Sequence, residues 1–452
     1  MKSTFRRGGV HPPQDKLTAG KPIIDIELPM EAIVTFSQHI GAIAKCDLKK
    51  GDHVRRGDIV AHATGAVSAN VHTPITGTVV KIDKWKTAFG YPADTVTIRA
   101  TEEEHVADMM ASNNESATRS DKEVDTLSTD AIKDIIAQSG IVGLGGATFP
   151  TKVKLSPPPG CKAELLIING AECEPYLTCD HALMIEHADE IIRGTRLLCR
   201  AAGVDRAAIA IEDNKPDAIE AMTRAAGQYP DIRIVTLKTK YPQGGEKQLI
   251  DAVMHREVPT GALPIATGAI VQNVATAYAV YRAVYNDMPL IDRVVTVTGP
   301  SVKRPGNYRV AIGTPLADLV RLAGGVPSDT GKIVLGGPMM GRSVVSLDAP
   351  TVKGISGVLM LPEPQATRRA MQPCIRCGSC VEACPMGLEP YLISTLSRQH
   401  RWEDAETESV TSCIECGSCS YCCPSSRPLL DYIRLGKTTV MGMIRARAAK
   451  KP

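Results

Sequence analysis

The sequence predicts a multidomain protein of mixed α/β and α+β class, and three observations carry that prediction. Its 452 residues exceed what one core organises, at roughly 100–200 residues per domain. Strands alternate with helices through the middle of the chain, the pattern of a parallel sheet with helical crossovers, while short apolar strands between glycine turns fill the regions on either side. Beyond them, nine of the 14 cysteines crowd into a short segment near the C-terminus, eight of them in two copies of one pattern.

Residues 1–100 read as β structure. Gly51-Asp52 and Gly57-Asp58 are turns between short apolar strands, and Thr76-Gly77 opens another. The pattern resembles the barrel-sandwich fold of biotinyl and lipoyl domains. Such carriers need a lysine at the hairpin tip, and none lies between Gly51 and Val80, so a docking or scaffold role is expected. His53, His62 and His72 are candidate metal ligands, although isolated strand histidines are more often surface or hydrogen-bonded residues. Residues 101–127 turn acidic, with Glu102, Glu103, Glu104, Asp108, Glu115 and Asp121, the composition of a linker.

Residues 128–290 hold the alternating region. Strands are expected at 164–168, 207–211 and 232–237, and helices at 181–202, 216–226 and 246–255. Ligands bind such sheets outside the carboxyl ends of the strands, where polar, glycine-bearing loops occur at 169–174, 212–214 and 241–246. Residues 291–361 are strand-rich again, with Gly299-Pro300 and Gly336-Gly337-Pro338 turns and a helix at 315–323. A proline- and charge-bearing stretch then leads into a cysteine module, 362–436, expected to be α-helical, and a basic tail, 437–452.

Composition narrows the function. A formal charge of +3 is too small for this length to argue for nucleic acid. No apolar run approaches the ~18–20 residues that cross a bilayer, and no apolar stretch follows the N-terminal charges as in a secretion signal. The chain is therefore expected in the cytoplasm, where clustered cysteines are ligands or redox groups rather than disulfides.

Those cysteines form two copies of C-x2-C-x2-C-x3-C-P, at 374–385 and 413–424, the run of bacterial ferredoxins. Three thiolates on a tight loop reach three corners of a [4Fe–4S] cubane, and the fourth, lying beyond, reaches the other cluster. The spacing assigns Cys374, Cys377, Cys380 and Cys423 to one cluster and Cys413, Cys416, Cys419 and Cys384 to the second. Structural zinc is the alternative, but zinc usually takes paired C-x2-C knuckles. Cys422 adjoins a ligand, and the x3 spacing with the following proline favours Cys423. Cys46, Cys161, Cys173, Cys179 and Cys199 lack ligand spacing and read as core residues.

The second informative segment is the glycine loop Gly143-Leu-Gly145-Gly146-Ala147-Thr148-Phe149-Pro150, followed by Lys154. It is not a dinucleotide fingerprint, because a helical stretch rather than a strand precedes it. Its glycines can expose peptide N–H groups to an anion, or merely form a connector.

That loop resembles the flavin-binding segment of the NADH-oxidising flavoprotein subunit of respiratory complex I, G-R-G-G-x-G-F-P-T-x-x-K. Asn169-Gly-Ala-Glu172-Cys-Glu174-Pro175, Tyr241-Pro-Gln-Gly-Gly-Glu246 and Gln272-Asn273-Val274 resemble three further segments of it. Ala171 and Gly245 stand where that subunit has an aspartate and a glutamate. The resemblance implies FMN phosphate on Gly143, Gly145, Gly146 and Lys154, and flavin contacts from Asn169, Glu172 and Asn273. It implies that Phe149, Glu174 and Glu246 help hold NAD(H), with Tyr241 in the same cofactor-binding set.

From Gly8-Gly9-Val10-His11-Pro12-Pro13 to Leu435-Gly436-Lys437 the order of motifs is similar to the C-subunit family of Rnf-type ion-translocating ferredoxin:NAD oxidoreductases. In that family residues 291–361 would be a soluble ligand-binding β-grasp (SLBB) domain. The resemblance implies noncovalent FMN, NAD(H) and two [4Fe–4S] clusters in an oxidoreductase and translocase subunit. It implies a peripheral position on the cytoplasmic face of the bacterial inner membrane. Its partners would be the other subunits of the complex, a ferredoxin-like cluster subunit among them, with ferredoxin engaged indirectly. The alternatives are a soluble NADH dehydrogenase or hydrogenase subunit and a non-catalytic iron–sulfur adaptor. Arg434, Lys437, Arg445, Arg447, Lys450 and Lys451 give the tail a basic character that suits anionic lipid, partner subunits or plain solvation.

Overall fold

In a computed structural model the described residues are 2–113 and 116–449, so Asn114, Glu115, Lys450 and Lys451 lie outside them. Four parallel strands form the central sheet, in the spatial order Ile232–Leu237, Ala207–Glu212, Leu165–Gly170, Ala269–Asn273. Their runs are almost wholly apolar because helices cover both faces, so neither face can carry polar alternation. Three strands fall where the alternating pattern puts them; the fourth, Ala269–Asn273, brings Asn273 beside Asn169 at the carboxyl edge.

The helix expected over 181–202 is two helices, Cys179–Glu186 and Ala188–Ala202. The break falls at His187, whose backbone leaves the helical region and whose ring stacks on Tyr278 at 4.5 Å. The second helix packs on Val274–Tyr285 with Gly194 directly over the carbonyl of Ala277, an approach that a Cβ would block. Residues 246–254 form the remaining crossover helix, Glu246–Met254.

The second β region is a six-stranded mixed sheet in the order Ile23–Asp25, Gly306–Ala311, Asp292–Thr298, Gly357–Pro362, Thr330–Leu335, Arg342–Ser343, with the helix Leu316–Leu322 on it. Its edge strand comes from the N-terminal hundred residues, so the first 30 residues do not belong to the barrel-sandwich alone. The barrel itself pairs Glu31–Thr35, Pro92–Arg99, Gly77–Lys86 and His53–Val54, with Ile59–Ala61 and Val71–His72 closing it. Its histidines do not converge. His53 bonds Glu104 at 2.6 Å, His62 is exposed, and His72 is buried with its ring pushed down to about 3 by desolvation and by Lys353.

Residues 101–127 are mostly helical rather than a free linker. Glu102–Asn113 opens on a reciprocal cap, in which the Thr101 N–H donates to Glu104 and the Glu104 N–H to the Thr101 hydroxyl. Asp108 accepts from the Thr76 N–H and hydroxyl, which docks the helix on the barrel. A second capping box at Ser120 and Glu123 starts Asp121–Asp125. Two of the acidic residues that suggest a linker by composition do structural work instead: Glu104 caps its helix and Asp108 anchors it.

The cysteine module is two short loop–helix units, Ser379–Glu382 and Ser418–Tyr421, clamped between Pro390–Arg398 and the long helix Leu429–Ala449. Those two helices touch at Gly436 and Ser397, again too close for a Cβ. The basic tail therefore continues a packed helix. Lys437 donates to the carbonyl of Cys413 at 2.7 Å, Arg434 and Lys437 both pair with Glu415, and Arg447 pairs with Glu406. No helix among the described residues is long and apolar enough to cross a membrane.

Candidate functional site

The carboxyl edge of the parallel sheet opens into a cleft of about 1520 Å³. Gly143, Gly145, Phe149, Lys154, Asn169, Glu172, Glu174, Tyr241, Glu246 and Asn273 line it together; of the cofactor-binding residues expected from the sequence, Gly146 alone is not on its wall. Four loops distant in sequence converge there because parallel strands deliver all their carboxyl ends to one side.

The glycine loop leaves part of its backbone unbonded. The Gly143 N–H is spent on Phe149 at 2.8 Å and the Leu144 N–H on the Thr276 hydroxyl at 2.9 Å, which fixes the turn. The next three N–H groups, of Gly145, Gly146 and Ala147, find no acceptor among the described residues. Gly146 sits at φ +106°, where an L side chain is strained, and the space beside it is open. Successive unbonded N–H groups are what an anion-binding nest requires. Gly143 thus shapes the turn, and Ala147, which the glycine pattern does not flag, joins the donors. Lys154 adds a cation, held by Glu246 at 2.7 Å and the Val271 carbonyl at 3.1 Å.

Asn169 and Asn273 brace the walls. Asn169 bridges the Gly244 carbonyl and the Ala171 N–H; Asn273 caps its own helix and donates to Asp180 at 2.7 Å. Glu172 accepts from the N–H groups of Asp180 and His181. Glu172, Cys179 and Asp180 are the one set of three potential ligand atoms within 4.8 Å of one another among the described residues. Burial and the neighbouring Glu172 push the Asp180 carboxyl up to about 7.

Sequence reasoning missed the residues that hold this cleft from outside its own domain. Lys16 donates its three hydrogen bonds to the carbonyls of Glu172, Glu174 and Leu177, so the N-terminal segment pins that loop. Arg293, buried in the six-stranded sheet, donates to the Leu144 carbonyl at 3.2 Å beneath the glycine loop. Glu174 accepts from Met339 and Met340 N–H at 3.0 and 2.7 Å, over a Gly337 that leaves no room for a Cβ. Burial pushes Glu174 up to about 7. No local pattern announces such partners.

The cysteines form two cradles. Cys384, Cys413, Cys416 and Cys419 line an apolar cavity of about 390 Å³ with Ile393, Leu430 and Ile433. Electrostatic neighbours follow the same grouping: Cys419 faces Cys416, Cys413 and Cys384, whereas Cys380 faces Cys423 and Cys374. Cys384 thus lies with the 413–419 thiols, and Cys423 with Cys380 and Cys374. No three of these sulfurs come within 4.8 Å of one another, which is wider than one tetrahedral zinc with ~2.3 Å bonds would draw them. A cavity lined by four thiols offers the four thiolate ligands that a [4Fe–4S] cubane takes. Cys422 lies beside the exposed set, and its thiol is turned to the carbonyls of Ser379 and Cys419.

The buried cradle adjoins the cleft. Ile414 lines both cavities, and the Tyr241 hydroxyl donates to the Cys416 carbonyl at 2.8 Å.

The chain is 43% identical over 441 residues to the C subunit of the proton-translocating ferredoxin:NAD(+) oxidoreductase complex of Clostridium ljungdahlii, covering 97% of this chain and 94% of that one. It belongs to the C-subunit family of ion-translocating oxidoreductase complexes. It is likewise 41% identical to the C subunit of the Na(+)-translocating ferredoxin:NAD(+) oxidoreductase complex of Acetobacterium woodii, over 98% of each chain. The C subunit of the ion-translocating oxidoreductase complex of Rhodobacter capsulatus is 41% identical over 86% of this chain and 74% of its own. Four domain families match in order: an RnfC barrel sandwich hybrid domain at residues 4–103, a Nuo51 FMN-binding domain at 136–282, an SLBB domain at 294–343 and a 4Fe-4S dicluster domain at 369–427. The family thus carries FMN in the α/β domain and two [4Fe–4S] clusters in the cysteine module.

Proposed function

We propose that the chain is the peripheral electron-transfer subunit of a membrane-bound ion-translocating ferredoxin:NAD+ oxidoreductase, using NAD(H) at the cleft and exchanging single electrons with partner subunits. The observation that carries this reading is the shared wall: the cleft lined by the expected cofactor residues abuts the buried cradle through Ile414. Bound FMN supplies the junction between two-electron hydride exchange and one-electron exchange, and the clusters supply one-electron carriage.

The N–H groups of Gly145, Gly146 and Ala147 and the ammonium of Lys154 hold the phosphate. Glu246, which pairs with Lys154, lines the cleft with Phe149 and Glu174, and its carboxylate would accept from a hydroxyl of NAD(H) there. Glu172, Asn169 and Asn273 fix the walls against which the ring system rests. The apolar surroundings of the buried cradle exclude water between cleft and cysteines.

The other cradle faces outward and serves the partner. Residues 367–378 are exposed without interruption, including Cys374, Cys377, Met371 and Ile375. Arg369 and Arg376 flank them, and the apolar centre with a basic rim suits an acidic one-electron partner, a ferredoxin-like cluster subunit of the complex. On this reading the chain works on the cytoplasmic face, where NAD(H) is found.

Anaerobic purification with iron, sulfide and flavin analysis, followed by NADH addition, tests the reading. About eight iron per chain, from two four-iron clusters, with one FMN and bleaching by NADH, is the expected result. Iron without flavin, and no response to NADH, would reduce the chain to an iron–sulfur adaptor.

A further inference from the structure

The N-terminal Gly8-Gly9-Val10 motif is absorbed by neither the cleft nor the cradles. It runs between them. Val10 and Tyr241 exchange both backbone hydrogen bonds, at 2.8 and 2.9 Å, and the Gly9 N–H donates to the Ala383 carbonyl at 2.9 Å. A Cβ on Gly8 would lie 2.5 Å from the carbonyl carbon of Cys384, and one on Gly9 would lie 2.8 Å from the Tyr241 carbonyl oxygen. Both glycines are therefore required by close approach, one toward a cluster ligand and one toward a cleft residue. Tyr241 closes the circuit: it is 1% exposed, and its hydroxyl donates to the carbonyl of Cys416, a second ligand of the same cradle.

We infer that residues 8–10 and Tyr241 form a clamp that sets the buried [4Fe–4S] cradle against the flavin cleft, with Tyr241 a positioning residue for electron exchange. The inference rests on the flavin and cluster reading above and adds a role that the cofactor motifs do not contain. A hydrogen bond donated to a ligand's carbonyl draws electron density from the cluster and favours its reduced form. The same bond fixes the ligand loop against the cleft wall. In the exposed cradle the Cys423 carbonyl accepts from the Ser426 backbone N–H, but no side-chain hydroxyl among the described residues donates to a ligand carbonyl, and Cys377 is exposed.

The test is Tyr241→Phe in the full, cofactor-loaded chain, which keeps the ring and removes the donor. An EPR-monitored redox titration should show the buried cluster's midpoint lowered, by up to about 59 mV for a tenfold shift in a one-electron equilibrium. The exposed cluster's midpoint should stay in place, with iron content unchanged. Gly8→Ala, which presses on Cys384 from the other side, should perturb the EPR signature of the same cluster alone. Unmoved midpoints in Tyr241→Phe, or equal shifts at both clusters, would overturn the clamp. So would flavin loss with unmoved midpoints, which would return Tyr241 to nucleotide binding. A wild-type chain with iron but no flavin would instead defeat the functional reading, and the midpoint comparison would still report on the clamp.

Discussion

Loops 374–385 and 413–424 share their cysteine spacing, their Gly-Ser pair and their backbone course, with Arg376 and Glu415 both left-handed ahead of Gly378 and Gly417. Their surroundings are opposite. In the first, Cys374 and Cys377 are exposed and Ile375 is 68% exposed. In the second, Cys416 and Cys419 are buried, and Ile414, the counterpart of Ile375, separates the cradle from the cleft. The thiols feel the difference. Burial pushes Cys413 up to about 11, whereas hydrogen bonds from Ser379 hold Cys377 below its ordinary range. One charge reversal contributes to the sorting: Glu415 recruits Arg434 and Lys437 from the long helix, and Arg376 at the same place recruits no helix partner among the described residues. Spacing specifies a cluster; the neighbours of the loop specify whether that cluster adjoins the cleft or lies at the surface.

The sharpest way to break this comparison is to remove one ligand from each loop. Cys416→Ala should abolish NADH-driven reduction of whatever cluster remains, because the step from cleft to module passes the buried cradle. Cys374→Ala should lose about half the iron, one of two four-iron clusters, yet leave the buried cluster reducible by NADH. Equal losses in rapid-mixing absorbance would refute the assigned order. Lys154→Ala comes next. Loss of a charge-assisted bond to phosphate should weaken FMN binding roughly tenfold or more, read by flavin fluorescence on dilution, with iron content unaltered.

Glu415→Gln has a smaller expected effect, since partly exposed ion pairs contribute about 1 kcal/mol or less. It should lower the urea midpoint slightly and make the buried cluster more sensitive to chelators, whereas Arg376→Gln should do neither. The smallest effect concerns pH. Glu174 has a folded-state value near 7, above the ordinary 4.5, so the folded protein holds its proton more tightly than the unfolded chain. Its contribution is complete below about pH 4.5 and is lost as pH rises through 7. Glu174→Gln removes that dependence, so the wild type should gain stability relative to the variant on going from pH 8 to pH 5. A difference independent of pH would show that Glu174 is charged throughout.

Much of the site is legible in sequence because its chemistry is local. Cysteine spacing, the glycine turn and the strand-end loops each lie within a dozen residues, and ligand geometry on such a span follows from backbone reach. Alternating apolar strands and helices then announce a parallel sheet, which gathers its carboxyl-end loops into one cleft. The linker reading failed where composition was used without caps: Thr101 with Glu104 and Ser120 with Glu123 are start signals that an acid-rich window conceals.

The sequence by itself determined two iron–sulfur cradles, a glycine turn and the class of each domain, since these rest on short-range geometry. Only the tertiary structure decided which cradle is buried, that Ile414 and Tyr241 join it to the cleft, and that Lys16, Arg293 and the Met339-Met340 turn hold the cleft together. Those contacts link residues more than a hundred positions apart and involve ordinary carbonyls and N–H groups. Every residue carries such groups, so nothing in the one-dimensional pattern distinguishes the ones that the fold brings into contact.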